Sequence, residues 1–400
     1  MKIRSIIYLL FTLVLMESCS KGSGSSTPTP PAVALSIASI SDVSNERTGN
    51  NLKFQFSITL DKVSTSAITL SYTTADVTAL ANKDYKPVSG TLNIPANSNS
   101  GTIEVEVIGD SARKANQTFN VQLSNPTNCT ISTNKGTGTI INENLLYFPV
   151  DNTVGYATAS SYPGKTLVWS DEFDGNTINT AAWTFETGNN NGWGNAELEN
   201  YTGRTQNAFV SKGNLIIEAR KESLAGSAYT SARMITKNKQ VFTYGRIDIR
   251  AKVPTGKGIW PALWMLGNNI DQAGWPACGE MDIMELVGQE PNKVHGTLHW
   301  GANTTLHASK EAGYVLPSGT FDQQFHVFSM VWVKDQVQIY IDDILYNTIT
   351  TSNTAGSNYP FNSNFFFIFN VAVGGTWPGP PDANTVFPQR MIVDYVRVFQ

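Results

Sequence analysis

Apolar and polar positions alternate along most of this chain, in short runs. LKFQFSITL (52–60), SAITLSYTT (66–74), GTLNIPA (90–96) and GTIEVEVIGD (101–110) each repeat with a period of two, and Gly, Asn and Pro separate them. That period puts alternate side chains on opposite faces of an extended strand, so these runs predict strands with one face in a core. The pattern returns later with larger apolar and aromatic residues. Examples are GNLIIEAR (213–220), YGRIDIRAKV (244–253), FHVFSMVWV (325–333), QVQIYIDD (336–343), FFFIFNVAV (365–373) and MIVDYVRVF (391–399). IDDILYN (341–347) has the form of a hairpin turning near Asp342 and Asp343. No helical stripe of useful length appears, and no βαβ alternation, which argues against a Rossmann-type fold. The predicted class is all-β, with a small antiparallel β-sandwich in front of a large one.

Composition supports this division. All nine Trp lie at or beyond position 169 and all four His (His295, His299, His307, His326) follow, whereas the front is rich in Ser, Thr and Asn. The 400 residues suffice for two domains. A net charge of −4, with 15% charged residues and no basic cluster, argues against a nucleic-acid partner. Lys2 and Arg4 precede the apolar run Ile6–Met16, which reads as an export signal too short to span a bilayer comfortably. Cys19 follows in MESCSKGSGSS and resembles the lipidated first residue of a bacterial lipoprotein, although Met16 and Glu17 depart from the usual pattern. The alternative is a secretory signal cut nearby. Residues 1–19 are thus read as signal, 20–31 as a flexible tether, 32–145 as the small sandwich, 146–165 as linker and 166–400 as the large domain. Cys129 and Cys278 fall in different domains and are read as buried free thiols.

The candidate chemistry lies in GEMDIMELVG (279–288). On a strand, Glu280 and Asp282 share a face, while Glu285 sits at an odd offset and should point away. A β-bulge at Ile283–Met284 would insert one extra residue and return Glu285 to that face. Three clustered carboxylates cannot all ionise freely, so their pKa values are driven apart. That arrangement suits a retaining glycosidase, which needs a charged nucleophile and a protonated acid about 5–5.5 Å apart. Glu280 is read as nucleophile, Glu285 as general acid/base, and Asp282 as the residue that orients Glu280 and shares a proton with the pair. A solvent-exposed acidic face is disfavoured, because Met281, Ile283, Met284 and Leu286 are apolar. Trp260 and Trp264, four apart in a predicted strand, share a face and can offer flat platforms to sugar rings.

GEMDIMELVG resembles the E-x-D-x-x-E motif of glycoside hydrolase family 16, and the resemblance runs from LVWSDEFDG (167–175) to the last strand. It implies a concanavalin-like β-jelly-roll with its cleft on the concave sheet. GKGIWPALWMLG (256–267), WPACGEMDIME (275–285), VHGTLHWG (294–301) and NVAVGGTWPG (370–379) are similar to laminarinase-like members, which cut β-1,3-glucans. The resemblance places Trp260 and Trp264 in the cleft, His299 near the point of cleavage, and Asn195, Glu197 and Arg233 around the sugar before the cut. It also implies a structural Ca2+ on the convex side, held by Glu172, the Gly213 carbonyl and Asp394. It implies no cofactor for catalysis.

The front segment resembles a Calx-beta domain through SYTTADVTALANKDY (71–85), SGTLNIPA, IEVEVIGD, TFNVQLSNP (118–126) and GTGTIINEN (136–144). Domains of that family often bind calcium, here through Glu46, Asp76, Asp84, Asp110 and Glu143. Arg113 and Lys114 stand where acids are usual, which favours a spacer instead. The expectation is an exported, lipid-anchored, monomeric endo-β-1,3-glucanase acting on laminarin-like glucans at or beyond an outer membrane. The alternatives are mixed-linked β-1,3-1,4-glucan or an agar-type galactan as substrate, a non-catalytic glycan-binding protein, or an adhesion protein.

Overall fold

The computed structural model describes residues 34–142 and 147–400. The signal, the tether, Cys19 and Glu143 lie outside the described residues. The front domain is a sandwich of two sheets. Ser100–Val107, Leu52–Leu60, Ser36–Ile40 and Cys129–Thr133 form one; Val43–Glu46, Lys135–Ile141, Gln117–Thr127, Ile68–Asp76 and Ser89–Ile94 form the other. Their alternating apolar positions, among them Phe54, Phe56, Leu70, Val105 and Phe119, meet in one core. Two pairings depart from the expected antiparallel pattern: Ser36–Ile40 with Cys129–Thr133, and Val43–Glu46 with Lys135–Ile141, are parallel. Here the first strands of the domain lie beside its last ones. Such a closure joins strands far apart in the chain, so hairpin geometry does not dictate their direction.

The large domain is the expected two-layer sandwich. Its inner sheet runs Thr184–Glu186, Arg233–Ile235, Phe365–Val373, Ile259–Gly267, Glu280–Glu285, Lys293–Trp300, Ala308–Val315. The outer sheet is built on Gln389–Phe399 and Gly245–Lys252, flanked by Leu215–Ala219 on one side and His326–Val333 on the other. Leu215, Ile247, Leu263, Met281 and Phe367 fill the space between the sheets. The hairpin at Asp342 and Asp343 is present, with both residues left-handed at φ 48° and 63°. That is the geometry of a two-residue turn whose twist matches its strands.

Residues 147–165, read from sequence as linker, lie across the outer sheet. Phe148 and Val150 pack on Phe209, Ile216, Phe325 and Ile392. Tyr162 donates from its hydroxyl to Asp248 at 2.6 Å. Arg113 joins the two domains. Its guanidinium donates to both oxygens of Glu218 at 2.9 and 2.7 Å and to the Gln206 carbonyl at 2.7 Å. It also stacks 4.4 Å above the Phe209 ring. Both side chains of the pair are fully buried. Removing one partner of such a pair leaves a buried charge short of its counter-ion. Glu218 keeps Arg220 and Arg390, so Arg113→Ala is expected to weaken domain docking by about 3 kcal/mol, the lower end of that effect. In calorimetry of the full chain the front domain should then melt earlier. An unchanged thermogram would show that the pair does not hold the domains together.

Candidate active site

The break in period at 280–285 is a bulge. Asp282 pairs with Thr297 and Glu285 with His295, so three steps on one strand oppose two on its neighbour. The other neighbour shows the same insertion, with Trp264 opposite Asp282 and Leu263 opposite Met284. Ile283 and Met284 are consecutive and both fully buried. Burial of each such side chain contributes roughly 1.5–3 kcal/mol, which fixes the bulge where the acids need it. The Tyr346 hydroxyl donates to the Ile283 carbonyl at 3.4 Å. Gly296 makes room for it, since a Cβ there would stand 2.5 Å from that hydroxyl oxygen.

Glu280, Asp282 and Glu285 therefore line one cleft of about 690 Å³, with Trp260, Trp264 and His299. This volume suits a ligand rather than a few waters. Two indoles divide the carboxylates. Trp275 Nε1–H donates to Glu280 Oε2 at 3.1 Å, and Trp260 Nε1–H donates to Glu285 Oε1 at 3.0 Å. Each acid keeps its other oxygen for chemistry. His299 Nε2 stands 3.2 Å from Asp282 Oδ2 and 3.7 Å from Glu280 Oε1.

Electrostatics raise all three acids. Burial pushes the Glu280 carboxyl up to about 8; Asp282 adds to the push, while His299, Trp275 and Arg233 oppose it. Burial raises Asp282 well above the carboxylate range. Glu285 is also raised well above it, first by burial and then by Asp282 and Glu280. Burial and crowding thus favour protons held within the cluster over three charged carboxylates. A nucleophilic carboxylate must be ionised, so the acid limb of kcat/KM should lie above the ordinary carboxylate range. Asp282→Asn removes the neighbouring charge that raises Glu280. The acid limb should move to lower pH while kcat falls. An unmoved limb would separate Asp282 from the ionisation of Glu280.

The remaining expected residues also reach the cleft. Asn195, Glu197 and Arg233 line it. Asn195 Nδ2–H and the Tyr201 hydroxyl donate to the two oxygens of Glu197, at 3.2 and 2.9 Å. The Arg233 guanidinium lies 4.8 Å from the ring centres of both Trp193 and Trp264 and donates to Glu186 at 2.6 Å. The Trp264 indole N–H donates to Asn370 at 2.7 Å.

Sequence reasoning missed several members of the site. Trp275 stood in a quoted stretch, yet nothing in its spacing tied it to Glu280. His307 reaches His299 from a separate loop, its Nε2 2.8 Å from His299 Nδ1. Trp377 packs edge-on to Trp260 at 5.5 Å. Glu199 is fully buried beneath Glu197 and accepts the Val373 N–H at 2.7 Å. Burial and the Glu197 charge raise its pKa well above the usual range.

The expected calcium ligands do not fit a cation. Both oxygens of Glu172 accept from Arg397, at 2.8 and 2.7 Å. Those of Asp394 accept from Asn152 at 2.8 Å and Arg250 at 2.7 Å. A hard cation needs several free oxygens converging on it, and here guanidinium groups already neutralise the two carboxylates; the Gly213 carbonyl is left without acidic co-ligands from this set. The front domain repeats the theme. Lys114 Nζ bridges Asp84 and Asp110 at 3.3 and 2.8 Å, and Arg47 reaches Asp84 at 3.1 Å. Asp76 accepts from the Tyr85 hydroxyl at 2.6 Å.

Two buried carboxylates on one strand face, each held by its own indole in a cleft, suit the chemistry of a glycosidase. The profile described as Glycosyl hydrolases family 16 matches residues 195–397, and the chain belongs to that family. The Calx-beta domain profile matches residues 44–144. The chain is 40% identical over 273 residues to glucan endo-1,3-beta-glucosidase A1 of Niallia circulans, covering 62% of this chain and 40% of that protein. It is 41% identical over 258 residues to a beta-glucanase of Rhodothermus marinus, covering 62% and 89%. Among solved structures, the laminarinase catalytic domain of Thermotoga maritima is 50% identical with a TM-score of 0.56, over 59% of this chain and 98% of that one.

Proposed function

We propose that the chain is an endo-acting retaining glucanase that hydrolyses internal β-1,3-glucosidic bonds of laminarin-like β-glucans. The observation that carries this reading is the bulged strand, which turns Glu280 and Glu285 into one cleft and gives each a separate indole donor. With Trp275 on Oε2, Glu280 attacks the anomeric carbon through Oε1. With Trp260 on Oε1, Glu285 carries its proton on Oε2 and delivers it to the departing glycosidic oxygen. The C–O bond breaks as the Glu280–sugar ester forms. Glu285, now ionised, then takes a proton from water, whose oxygen displaces Glu280 with overall retention. Acid, base and nucleophile all come from this chain, so the reaction calls for no cofactor and a monomer suffices.

The β-1,3 preference is supported by the names of the relatives above and by the four stretches shared with laminarinase-like members. Export and a lipid at Cys19 complete the proposal, supported by Lys2, Arg4 and the apolar run before the Cys. On this reading the substrate is a polysaccharide met at or beyond an outer membrane, and the front domain is a rigid spacer. The test is product analysis of the purified full chain on laminarin, lichenan and agarose. Short β-1,3-oligosaccharides from laminarin, with the β-anomer formed first, are the expected result. Cleavage confined to lichenan or agarose would keep the mechanism and discard the substrate. Binding of laminarin without cleavage would overturn the enzyme reading.

A further inference from the structure

The geometry points to a second ligand for the catalytic cleft: a borderline divalent metal ion such as Zn2+, held by Glu280, Asp282 and His299 as an inhibitory site that competes with the glucan. The donor atoms of these three side chains all lie within 4.8 Å of one another, and no other group of three or more His, Cys, Asp or Glu among the described residues meets that spacing. His299 Nε2 is 3.2 Å from Asp282 Oδ2 and 3.7 Å from Glu280 Oε1. Ligands at about 2.0–2.2 Å around a tetrahedral zinc stand roughly 3.3–3.6 Å apart, so only small side-chain shifts are needed.

A second observation points to a ligand. Asp282 is 3% exposed, and its Oδ2 has no hydrogen-bond partner despite the nearby imidazole. An orphaned buried carboxylate oxygen is an acceptor in want of a cation or a proton. The outer surroundings are also those of a metal-binding histidine. His307 Nε2 engages His299 Nδ1 at 2.8 Å, and the Trp275 ring packs 4.7 Å from His307. When His299 donates from Nδ1, its Nε2 lone pair faces the two acids, the role that an outer partner plays for a zinc-bound imidazole. One nitrogen and two oxygens favour Zn2+ or Cu2+ over Ca2+ or Mg2+, which prefer oxygen alone. The fourth position opens to the cleft. A bound ion would engage Glu280 Oε1, the attacking atom, so metal and glucan exclude each other.

The inference rests on the geometry of the acids and not on which glucan is cut. Binding is therefore read directly. The EDTA-treated, dialysed full chain is titrated with ZnCl2 by calorimetry, with CaCl2 as the comparison. One high-affinity zinc per chain is expected, with no comparable calcium isotherm. His299→Gln should abolish that isotherm. His307→Ala keeps all three donors and should weaken binding about 10–100-fold, and His295→Gln should leave it unchanged. Circular dichroism confirms that each variant is folded. In initial-rate assays zinc should raise KM without lowering kcat. Absence of saturable zinc binding, an isotherm unchanged in both His299→Gln and His307→Ala, or inhibition confined to kcat would each overturn the proposal. A chain that binds zinc as described yet cleaves no glucan would fail only the glucanase reading.

Discussion

Glu280→Ala is expected to lower kcat on laminarin by at least about ten thousand-fold, the scale on which loss of a covalent nucleophile acts. Glu285 can still protonate the leaving oxygen, but no carboxylate then traps the sugar. Asp282 is a poor substitute. It lies on the same face, but burial disfavours the charged form that attack requires. The loss should come without unfolding. Removing one acid from a crowded, buried cluster relieves like-charge repulsion, so thermal stability should hold or rise. Added azide can enter the space left by the carboxylate and attack the anomeric carbon directly. One displacement then replaces two, and an activated β-glucoside should yield the inverted α-glucosyl azide. Two outcomes would remove Glu280 from its role: activity above about one-hundredth of the parent, or a product of unchanged configuration.

The central feature of this site was legible because strand geometry is strict. A period of two cannot put Glu280, Asp282 and Glu285 on one face without an extra residue, so their spacing alone places a bulge at Ile283–Met284. Trp260 and Trp264 were legible for the same reason. The contacts that tune the acids were not. Trp275 and His307 arrive from loops, and loop paths carry no periodicity to read. Their partners became visible only in three dimensions. The front domain shows the same limit. Its strands followed from alternation, but its two parallel pairings depend on which distant segments meet. Arg113 and Lys114 were visible as basic residues among the front domain's acids. Sequence could not reveal that Lys114 would bridge Asp84 and Asp110, or that Arg113 would cross to Glu218 in the other domain. At Glu172 and Asp394 the resemblance did not show the partners. The carboxylates are where the pattern puts them, but Arg397 and Arg250 lie far along the chain and neutralise them in space.

Glu285→Gln separates the two halves of the reaction. The amide keeps an oxygen to accept the Trp260 N–H, so the side chain should stay in place while losing its transferable proton. On laminarin the leaving group is a poorly acidic sugar hydroxyl, and loss of the acid should cost about 100- to 10,000-fold in kcat/KM. A dinitrophenyl glucoside departs without help. Its first step should survive, since Glu280 remains. The second step still needs a base to activate water. The Glu280–sugar ester should therefore accumulate, visible as a burst of dinitrophenolate and as a mass increase on the protein. Azide needs no base, so it should restore turnover and give the β-azide, the configuration opposite to that from Glu280→Ala. The contrast between the two products assigns the carboxylates independently of each other. If laminarin and the activated glucoside lose activity equally, the proton donor lies elsewhere, and Asp282, with its raised pKa and its place between the two, becomes the candidate.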